Sequence, residues 1–371
     1  MHFDTISPFL AIGSGLNSLS NFMYIDLERI SWDDCNLNSG DCLTPKGFTF
    51  ARVLISDGLW VDLYNLHTDA GSDDGDRTAR AANLAQVSEF MQSRSAGMPV
   101  VVMGDTNARY SNDVDGTTLR TFVQQNGLED AWIQVTRGGT PPALNTDALV
   151  CPFPFASGVT QAQMLACETV DKIFVRGSEA VPLLSPTSFT NENGAFLNSS
   201  GSPLSDHYPI SAVLEWILSS SIRLGDSIGG PHGTVFNDIP GVITEDNVPA
   251  LSSITLRAGD RVDGLTYTVS SSTVTHGGTG GTAKTLSLKS GEYIVQVTAC
   301  SAQHSTHTRI FYLQFTTNLG STLEGGVSTS DCLTTTVPTD AGNGGAWGLV
   351  GFWGRGGEEV DRIAPIWGAV Y

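Results

Sequence analysis

The stretch from Leu59 to Gly104 decides the fold of the first half of this chain. It reads LWVDLYN over Leu59–Asn65, DRTARAANLAQVSEFMQSR over Asp76–Arg94 and VVVMG over Val100–Gly104. The middle segment carries apolar residues at helical spacing between arginine, glutamine and glutamate side chains, which predicts an amphipathic helix. The flanking apolar runs predict strands. A strand, a helix and a strand in succession indicate a layered α/β domain.

The rest of the chain divides into two regions of different character. Two more strand-like runs, Lys172–Val175 and Pro209–Trp216, extend the α/β pattern. After them no comparable helix is predicted, and short alternating runs lie between glycine-rich turns, at Ile254–Leu256, Leu265–Val269 and Tyr293–Val297. We therefore predict an α/β domain over residues 1–218 and an all-β domain over residues 222–371, joined by the polar linker Ser219–Ser221.

Composition excludes several classes of protein. The 371 residues include 19 basic and 38 acidic side chains, a net charge of −19, so a basic face that grips nucleic acid is not expected. Hydrophobic residues make up 40% of the chain, enough for a buried core. No apolar run reaches the roughly 18 residues that a membrane helix needs. We expect a β-rich globular protein with no membrane span and no nucleic-acid partner.

Six cysteines fall into three locally spaced pairs, and none has the C-x-x-C spacing of a metal site. Their even number in polar surroundings favours disulfides, with free buried thiols as the alternative. The expected pairs are Cys35 with Cys42, Cys151 with Cys167, and Cys300 with Cys332. With the sequon at Asn198, this predicts a secreted protein, although the first residues lack the pattern of a signal peptide.

Polar clusters stand at or near the ends of the apolar runs in the first half, where an α/β sheet usually presents its site. They are Asn65–His67, Gly104–Asn107, Val170–Ile173 and Ser205–His207. Two imidazoles near carboxylates and a carboxamide suit metal-assisted cleavage of a phosphate ester. A serine hydrolase fits less well, because the chain has no G-x-S-x-G motif.

Each cluster taken alone also has a simpler explanation. Gly104–Asn107 is typical of a turn, His67 of a structural histidine, and Asp206 of a capping residue. Asp171 and Lys172 are typical of a surface ion pair. The order and spacing of all four clusters together favour a functional site.

These motifs resemble the endonuclease/exonuclease/phosphatase superfamily, which includes deoxyribonuclease I and neutral sphingomyelinase, over roughly residues 13–216. The matching segments are Asn65–His67, Gly104–Ala108, Asp171–Ile173 and Ser205–Ile210. The resemblance implies a four-layer α/β sandwich of two packed sheets, of the deoxyribonuclease I type, and a requirement for Mg²⁺. Because the first strands of that fold are missing here, it implies a partial sandwich.

The resemblance also implies a set of catalytic residues: His67, Asp105, Asn107, Asp171, Asp206 and His207. In this set His207 is the general base toward water, and Asp171 orients it. Asp206 binds the metal or positions that histidine.

The remaining members of the set act on the phosphate. By the same resemblance, Asp105 and Asn107 place water and phosphate. His67 stabilises the phosphoryl group in the transition state.

One expected metal ligand is missing. The family begins with strands that carry an asparagine and then a Gln-Glu pair, whose glutamate is the principal metal ligand. Glu28 and Glu89 are the only glutamates before Asp105, and neither stands at that position. Loss of a charged ligand should weaken binding of a hard cation, so we expect the hydrolase to be crippled.

The second half resembles the jacalin-related lectins over residues 222–371. The matching segments are Ile254–Asp263, Gly277–Gly281, Leu288–Ile294, Thr308–Ile310 and Gly357–Asp361. The resemblance implies a β-prism of three four-stranded sheets that binds mannose- or galactose-type sugars at one end. It also implies that Phe352 and Trp353 pack inside the prism.

The implied carbohydrate site consists of Gly230, Gly357, Glu358, Glu359 and Asp361. Asp361 would accept protons from sugar hydroxyls, and the other residues would offer backbone contacts. Two alternatives stay open: the glycines only close β-turns, or the prism binds another protein.

Together these patterns predict a secreted carbohydrate-binding protein with an appended, crippled phosphodiesterase-like domain. The alternative is an active, secreted Mg²⁺-dependent phosphodiesterase, sphingomyelinase- or nuclease-like, targeted by its lectin domain. The first half carries 11 basic and 25 acidic residues, a net charge of −14, which favours a zwitterionic lipid head group or a small phosphoester over DNA.

Overall fold

The structure, a computed structural model, describes residues 2–3, 16–37, 40–146, 149–243, 248–340 and 345–370. The strands of the first half are β1 (His2–Phe3), β2 (Ser18–Leu19), β3 (Met23–Ser31), β4 (Gly47–Ser56), β5 (Leu59–His67), β6 (Val100–Asp105), β7 (Glu129–Asp130), β8 (Asp171–Arg176), β9 (Leu183–Asn191) and β10 (Ile210–Ile217). Its α-helices are α1 (Asp74–Arg94), α2 (Val114–Asn126), α3 (Ala131–Arg137) and α4 (Gln161–Leu165).

The described part of the second half is almost entirely strand. Its strands are β11 (Ile222–Leu224), β12 (Ile228–Gly229), β13 (Thr234–Asn237), β14 (Leu251–Ala258), β15 (Val262–Val269), β16 (Ser272–Gly277), β17 (Thr282–Ser287), β18 (Ile294–His304), β19 (His307–Thr317), β20 (Thr322–Gly326), β21 (Asp331–Thr336), β22 (Trp347–Gly356) and β23 (Val360–Ala369). One short helix, α5 (Ile239–Val242), interrupts them. No helix among the described residues of either half is long and apolar enough to cross a membrane.

A six-stranded sheet, in the order β3-β4-β5-β6-β8-β7, organises the first half. Helix α1 begins at a capping box, in which the Asp76 side chain accepts a hydrogen bond from the Asp73 N–H at 2.8 Å. One face of the sheet packs on the helices through a core that includes Phe48, Tyr64, Leu84, Val87, Val102, Leu119 and Phe174. The predicted helix and its flanking strands are confirmed.

The sheet register brings three predicted site residues side by side. Strand β5 runs parallel to β6, with His67 opposite Asp105. Strand β8 runs antiparallel to β6, with Asp171 opposite Asp105. The three residues therefore form a row across three neighbouring strands, at the same end of the sheet.

The other face of the sheet is covered by two different structures. The two-stranded sheet of β9 and β10 contributes Leu184 to the core on this face, as expected for a partial sandwich, and Phe189 to the core on the helix face. This face also packs against the second half in one hydrophobic core, to which the first half contributes Leu59, Trp60, Val61, Met98, Val101, Val175, Ala180, Val181 and Leu184 and the second half Ile222, Leu224, Ile239, Ile243, Val350, Trp353, Ala364 and Ile366. The Trp60 and Trp353 rings meet edge to face, with centroids 5.3 Å apart.

The second half is the predicted all-β prism. Two of its sheets have four strands each, β16-β15-β14-β17 and β20-β19-β18-β21. The third has five rather than the expected four, because the short strands β11 and β12 both pair with β23 beside β22 and β13. Phe352 lies in the core inside the prism, whereas Trp353, also fully buried, faces the first half.

The predicted linker is an ordered turn between the halves. Ser219 is buried, and its hydroxyl accepts hydrogen bonds from the N–H groups of Ser221 and Ile222, each at 3.1 Å. The chain thus passes from one domain to the other without a flexible spacer.

The three predicted disulfides are present, and the structure contains no free cysteine. Cys300 and Cys332 lie directly opposite each other on β18 and β21. The disulfides are confirmed over the alternative of free buried thiols.

Candidate active site and candidate carbohydrate site

Gly104 allows strand β6 to lie close to strand β5 beside the site. Gly104 has a φ of +134°, and a Cβ added there would lie 2.0 Å from the Leu66 carbonyl oxygen. A side chain at this position is therefore excluded, since the conformation is one that only glycine adopts readily. Strands β5 and β6 can therefore pack closely at Leu66 and Gly104, and the next residues, His67 and Asp105, lie side by side.

Asp105 is the centre of the site. Its Oδ1 accepts a hydrogen bond from the Asn107 N–H at 2.7 Å, and its Oδ2 lies 3.3 Å from His67 Nε2 and 3.6 Å from His207 Nε2. Burial raises the pKa of Asp105 to about 6, assisted by the charge of Asp171 and opposed by the Asn107 N–H. Asn107 has a φ of +46°, and its Nδ2 donates to the Thr68 carbonyl at 3.2 Å.

His207 is held by Asp171, as the family resemblance implies. Its Nδ1 lies 2.8 Å from Asp171 Oδ2, which leaves Nε2 on the side of Asp105. The hydrogen bond to Asp171 raises the pKa of His207 to about 9, although burial opposes this. The carboxylates of Asp171, Asp105 and Asp206 add to the increase.

Three side chains could hold a metal ion. Ligand atoms of Asp105, Asp171 and His207 all lie within 4.8 Å of one another, and each side chain is only partly exposed. Two carboxylates and an imidazole form a donor set that suits a divalent cation. Asp206, for which the sequence predicts a metal role, is exposed and does not belong to this set.

Neither early glutamate replaces the missing metal ligand. Glu28 forms ion pairs with Arg94 and Arg355, at 3.2 and 3.0 Å. Glu89 is exposed on α1. The sequence-based conclusion that neither glutamate takes that position agrees with the structure.

Lys172 belongs to a buried ion pair that sequence reasoning missed. The Lys172 side chain is 2% exposed and its Nζ donates to Glu168 Oε1 at 2.8 Å, so the proposed surface pair with Asp171 is wrong. Glu168 also accepts hydrogen bonds from the N–H groups of Tyr110 and Ser111. Burial opposes ionisation, but Lys172 and these hydrogen bonds lower the pKa of Glu168 overall. The pair anchors the chain that follows Asn107.

These side chains border a polar cleft of about 400 Å³. Its walls include Arg77, Asn107, Arg109, Asn112, Asp171, Asp206 and His207. The Arg109 Nε is buried and has no hydrogen-bond partner among the described residues. Sequence reasoning missed Arg109, although it follows the matched segment Gly104–Ala108 directly.

An apolar groove of about 870 Å³ adjoins the cleft, and Phe153 and Asp206 line both. Phe153 is 51% exposed, and Leu204, which also lines the groove, is 65% exposed. Inside the groove wall the Phe155 ring stacks on Tyr208, with centroids 4.2 Å apart. The cleft thus opens beside an exposed apolar surface.

The candidate carbohydrate site centres on a buried carboxylate. Asp361 is 0% exposed, and Arg309 Nη1 donates to its Oδ1. Its Oδ2 has no hydrogen-bond partner among the described residues and lies against Gly233, where an added Cβ would be 2.5 Å away. Burial raises the pKa of Asp361, and Arg309 opposes this increase.

Of the other predicted sugar-site residues, Gly230 contacts Asp361 directly. Gly230 is buried and its N–H donates to the Asp361 carbonyl at 2.8 Å. Gly357 and Glu358 are exposed in the turn before β23. Glu359 pairs with Arg261 at 2.6 Å, which lowers its pKa, and lies 3.5 Å from Arg309 Nε.

Comparison with known families gives two matches. Residues 18–137 match the family described as endonuclease/exonuclease/phosphatase family 2, and residues 226–366 match the jacalin-like lectin domain. Two curated relatives, each named sphingomyelinase, from Mycobacterium bovis and Mycobacterium tuberculosis, are 45% identical over 195 residues, or 53% of this chain and 35% of each relative. The chain thus spans about a third of the length of these relatives.

Among solved structures, wild-type Malaysian banana lectin is similar at a TM-score of 0.32 and 25% identity, over 39% of this chain and 96% of that one. A mannose binding jacalin related lectin from Ananas comosus is similar at a TM-score of 0.33 and 22% identity, over 40% of this chain and 98% of that one. The two family matches place a domain of endonuclease/exonuclease/phosphatase family 2 at residues 18–137 and a jacalin-like lectin domain at residues 226–366.

Proposed function

We propose that the first half is an active metal-dependent phosphodiesterase. The observation that carries this proposal is the convergence of Asp105, Asp171 and His207, whose ligand atoms lie within 4.8 Å of one another beside His67. Relatives named sphingomyelinase are similar to this half, which supports a hydrolase of phosphodiesters. Neither finding supports the crippled domain that the missing glutamate predicts.

Carboxylate oxygens of Asp105 and Asp171 would hold the metal ion, for which Mg²⁺ is our first candidate. His207 would stay free of the metal, because its Nδ1 bonds to Asp171 and its Nε2 transfers the proton. When bound, a divalent cation polarises a phosphoryl oxygen and lowers the pKa of a coordinated water. Carboxylate oxygens also suit Mn²⁺, so both ions belong in the test.

The protein's own groups would orient the phosphate and move a proton. Asp171 holds His207 through Nδ1, so proton transfer to or from water takes place at Nε2. His67 Nε2 lies on the other side of Asp105 Oδ2, where it can donate to a phosphoryl oxygen. Arg109 lines the same cleft with an unpaired Nε and would bind a non-bridging oxygen of the phosphodiester.

We propose a phospholipid such as sphingomyelin as the substrate. The apolar groove beside the cleft offers a surface for hydrocarbon chains, with Phe153 at the boundary. The net charge of −14 on this half disfavours DNA, because a polyanion would be repelled. A short-chain phosphoester would leave the groove empty.

Hydrolysis assays test this function directly. We expect metal-dependent cleavage of sphingomyelin in mixed micelles, lost on addition of EDTA and restored by Mg²⁺ or Mn²⁺. His207→Ala should abolish it, whereas Arg29→Ala, which removes a charge from exposed strand β3, should retain it. If none of sphingomyelin, bis(p-nitrophenyl) phosphate and DNA is cleaved, the result would contradict the proposed activity and support the crippled domain predicted from the sequence.

We propose carbohydrate binding as the function of the second half. The supporting observation is Asp361 Oδ2, a buried carboxylate oxygen to which no described residue donates a hydrogen bond, because a sugar hydroxyl would supply that donor. Asp361 lies under the loop Gly229–Gly233, so this loop must adjust when a sugar enters. Methyl α-mannoside and methyl α-galactoside are the probes, and Asp361→Asn should lose the binding that the wild type shows.

We also propose that the protein acts outside the cytosol. The three disulfides support this, because such bonds persist in oxidising compartments. Detection of the protein in culture medium, with a glycan at Asn198, would test it; Asn198 is exposed.

A further inference from the structure

A bulge in strand β3 aims one carboxylate at the second half. The pairing of β3 with β4 shifts register between Ile25 and Glu28, and Asp26 within this bulge has a φ of +56°. The Asp26 side chain is only 4% exposed. A non-glycine residue holds such a backbone conformation only where its surroundings fix it, and such positions often serve a function.

The surroundings of Asp26 are two arginines of the jacalin-like domain. Its Oδ1 lies 2.5 Å from Arg362 Nη1 and 3.3 Å from Arg355 Nε. Glu28 Oε1 lies 3.0 Å from Arg355 Nη2, and its Oε2 lies 3.2 Å from Arg94 on α1. Both arginines of the lectin domain are 5% exposed, so their charges need these partners.

The same two arginines hold the loop that covers Asp361. Arg355 Nη1 donates to the Pro231 carbonyl at 2.7 Å and to the Gly233 carbonyl at 3.4 Å. Arg362 Nη2 donates to the Gly229 carbonyl at 3.4 Å. Each arginine thus contacts the loop with one nitrogen, and the carboxylates of the first half with one other nitrogen in Arg362 and two in Arg355.

We propose that Asp26 and Glu28 of the hydrolase domain position the lectin loop Gly229–Gly233 through Arg355 and Arg362. This rests on the proposed carbohydrate function of that loop. Without the two carboxylates the guanidinium groups would turn toward water, and the loop would lose its hydrogen bonds at three carbonyls. Sugar affinity of the lectin domain therefore depends on residues of the hydrolase domain, because ordering the loop at the moment of binding weakens affinity.

Isothermal titration of the full chain with methyl α-mannoside and with methyl α-galactoside tests this proposal. Glu28→Gln and Asp26→Asn should each weaken the affinity for the bound sugar, roughly 5-fold or more. Glu89→Gln is the matched control, because it removes the same charge from the exposed face of α1 and should bind as the wild type does. Circular dichroism must show that each variant is folded.

A double-mutant cycle separates positioning from a general loss of stability. If Glu28 acts through Arg355, the double variant Glu28→Gln/Arg355→Gln should bind sugar no more weakly than Arg355→Gln alone. Additive losses would overturn the proposal, as would Glu28→Gln and Asp26→Asn variants that bind like the wild type. A wild-type chain that binds neither sugar would instead overturn the carbohydrate function, and this proposal with it.

Discussion

Arg109 and Glu168 line the same cleft but differ in how fully they are paired. The Arg109 Nε has no hydrogen-bond partner among the described residues, so this guanidinium suits an anionic ligand. The Glu168 carboxylate accepts hydrogen bonds from Lys172 and from the N–H groups of Tyr110 and Ser111. We therefore expect substitution of Arg109 to change ligand binding and substitution of Glu168 to change stability.

Arg109→Ala should weaken substrate binding at the cleft. A hydrogen bond to a charged group contributes about 1.5 to 3 kcal/mol, so KM should rise on the order of 10- to 100-fold. The same variant should lose affinity for inorganic phosphate, measured by calorimetry without turnover. Arg109→Lys should recover part of the loss, and an unchanged KM and phosphate affinity in Arg109→Ala would exclude Arg109 as a substrate ligand.

Glu168 should make stability depend on pH in the acid range. Its pKa in the folded chain lies below its ordinary value, so its contribution to the free energy of unfolding is fully present above the unfolded pKa. That contribution is lost as the pH falls through the lower, folded pKa.

Glu168→Gln should remove this acid dependence and should also destabilise the chain at pH 7, by roughly 3 to 5 kcal/mol, because Lys172 is left buried and unpaired. Urea unfolding of wild type and variant at pH 7 and at pH 4 measures both effects. Equal stability of the two proteins at pH 7 would contradict the assignment of the pair.

At the scale of elements, the row of site residues depends on how closely β5 and β6 approach. The register places His67 beside Asp105, and Gly104 permits the approach. The glycine is therefore a requirement of the sheet and of the site at the same time.

Gly104→Ala should disrupt this edge of the sheet, because its Cβ would lie 2.0 Å from a backbone oxygen. We expect loss of hydrolysis together with a marked fall in the thermal midpoint. Gly127→Ala is the control: Gly127 also has a positive φ, but nothing lies within 4 Å of an added Cβ. The control should cost only about 1 kcal/mol, and a Gly104→Ala variant that is no less stable would refute this account of the strand contact.

At the scale of the whole molecule, the two domains share a hydrophobic core and are not connected by the chain alone. Strands β11, β22 and β23 belong to one sheet of the second half, and their residues pack in this core against the six-stranded sheet of the first half. Arg52 adds a contact over the Trp353 ring, at 5.1 Å. Apolar burial of this kind couples the stability of both halves.

Trp353→Ala should therefore destabilise both domains together, by about 3 to 5 kcal/mol. Differential scanning calorimetry should show one transition in the wild type and one transition at lower temperature in the variant. Trp216→Ala removes an indole that is 43% exposed on β10 and should have little effect. Two separate transitions in the wild type would show that the halves unfold independently.

Local sequence patterns were sufficient to predict many of the secondary-structure elements and the disulfides. Helical spacing located α1, alternation located the strands, and close spacing in sequence paired the six cysteines. The motifs also identified the four site residues. The sheet register brought His67, Asp105 and Asp171 together, and a hydrogen bond to Asp171 holds His207 beside them. These features depend on neighbours within one segment or on whole motifs, so a single sequence contains them.

Only the tertiary structure decided which distant groups became partners. Lys172 pairs with Glu168 rather than Asp171, since successive residues of a strand point to opposite faces. Asp361 meets Arg309, and Asp26 meets Arg355 and Arg362 across more than 300 positions of sequence. Such contacts depend on how sheets pack, and the charge and spacing of residues along the chain do not specify that packing.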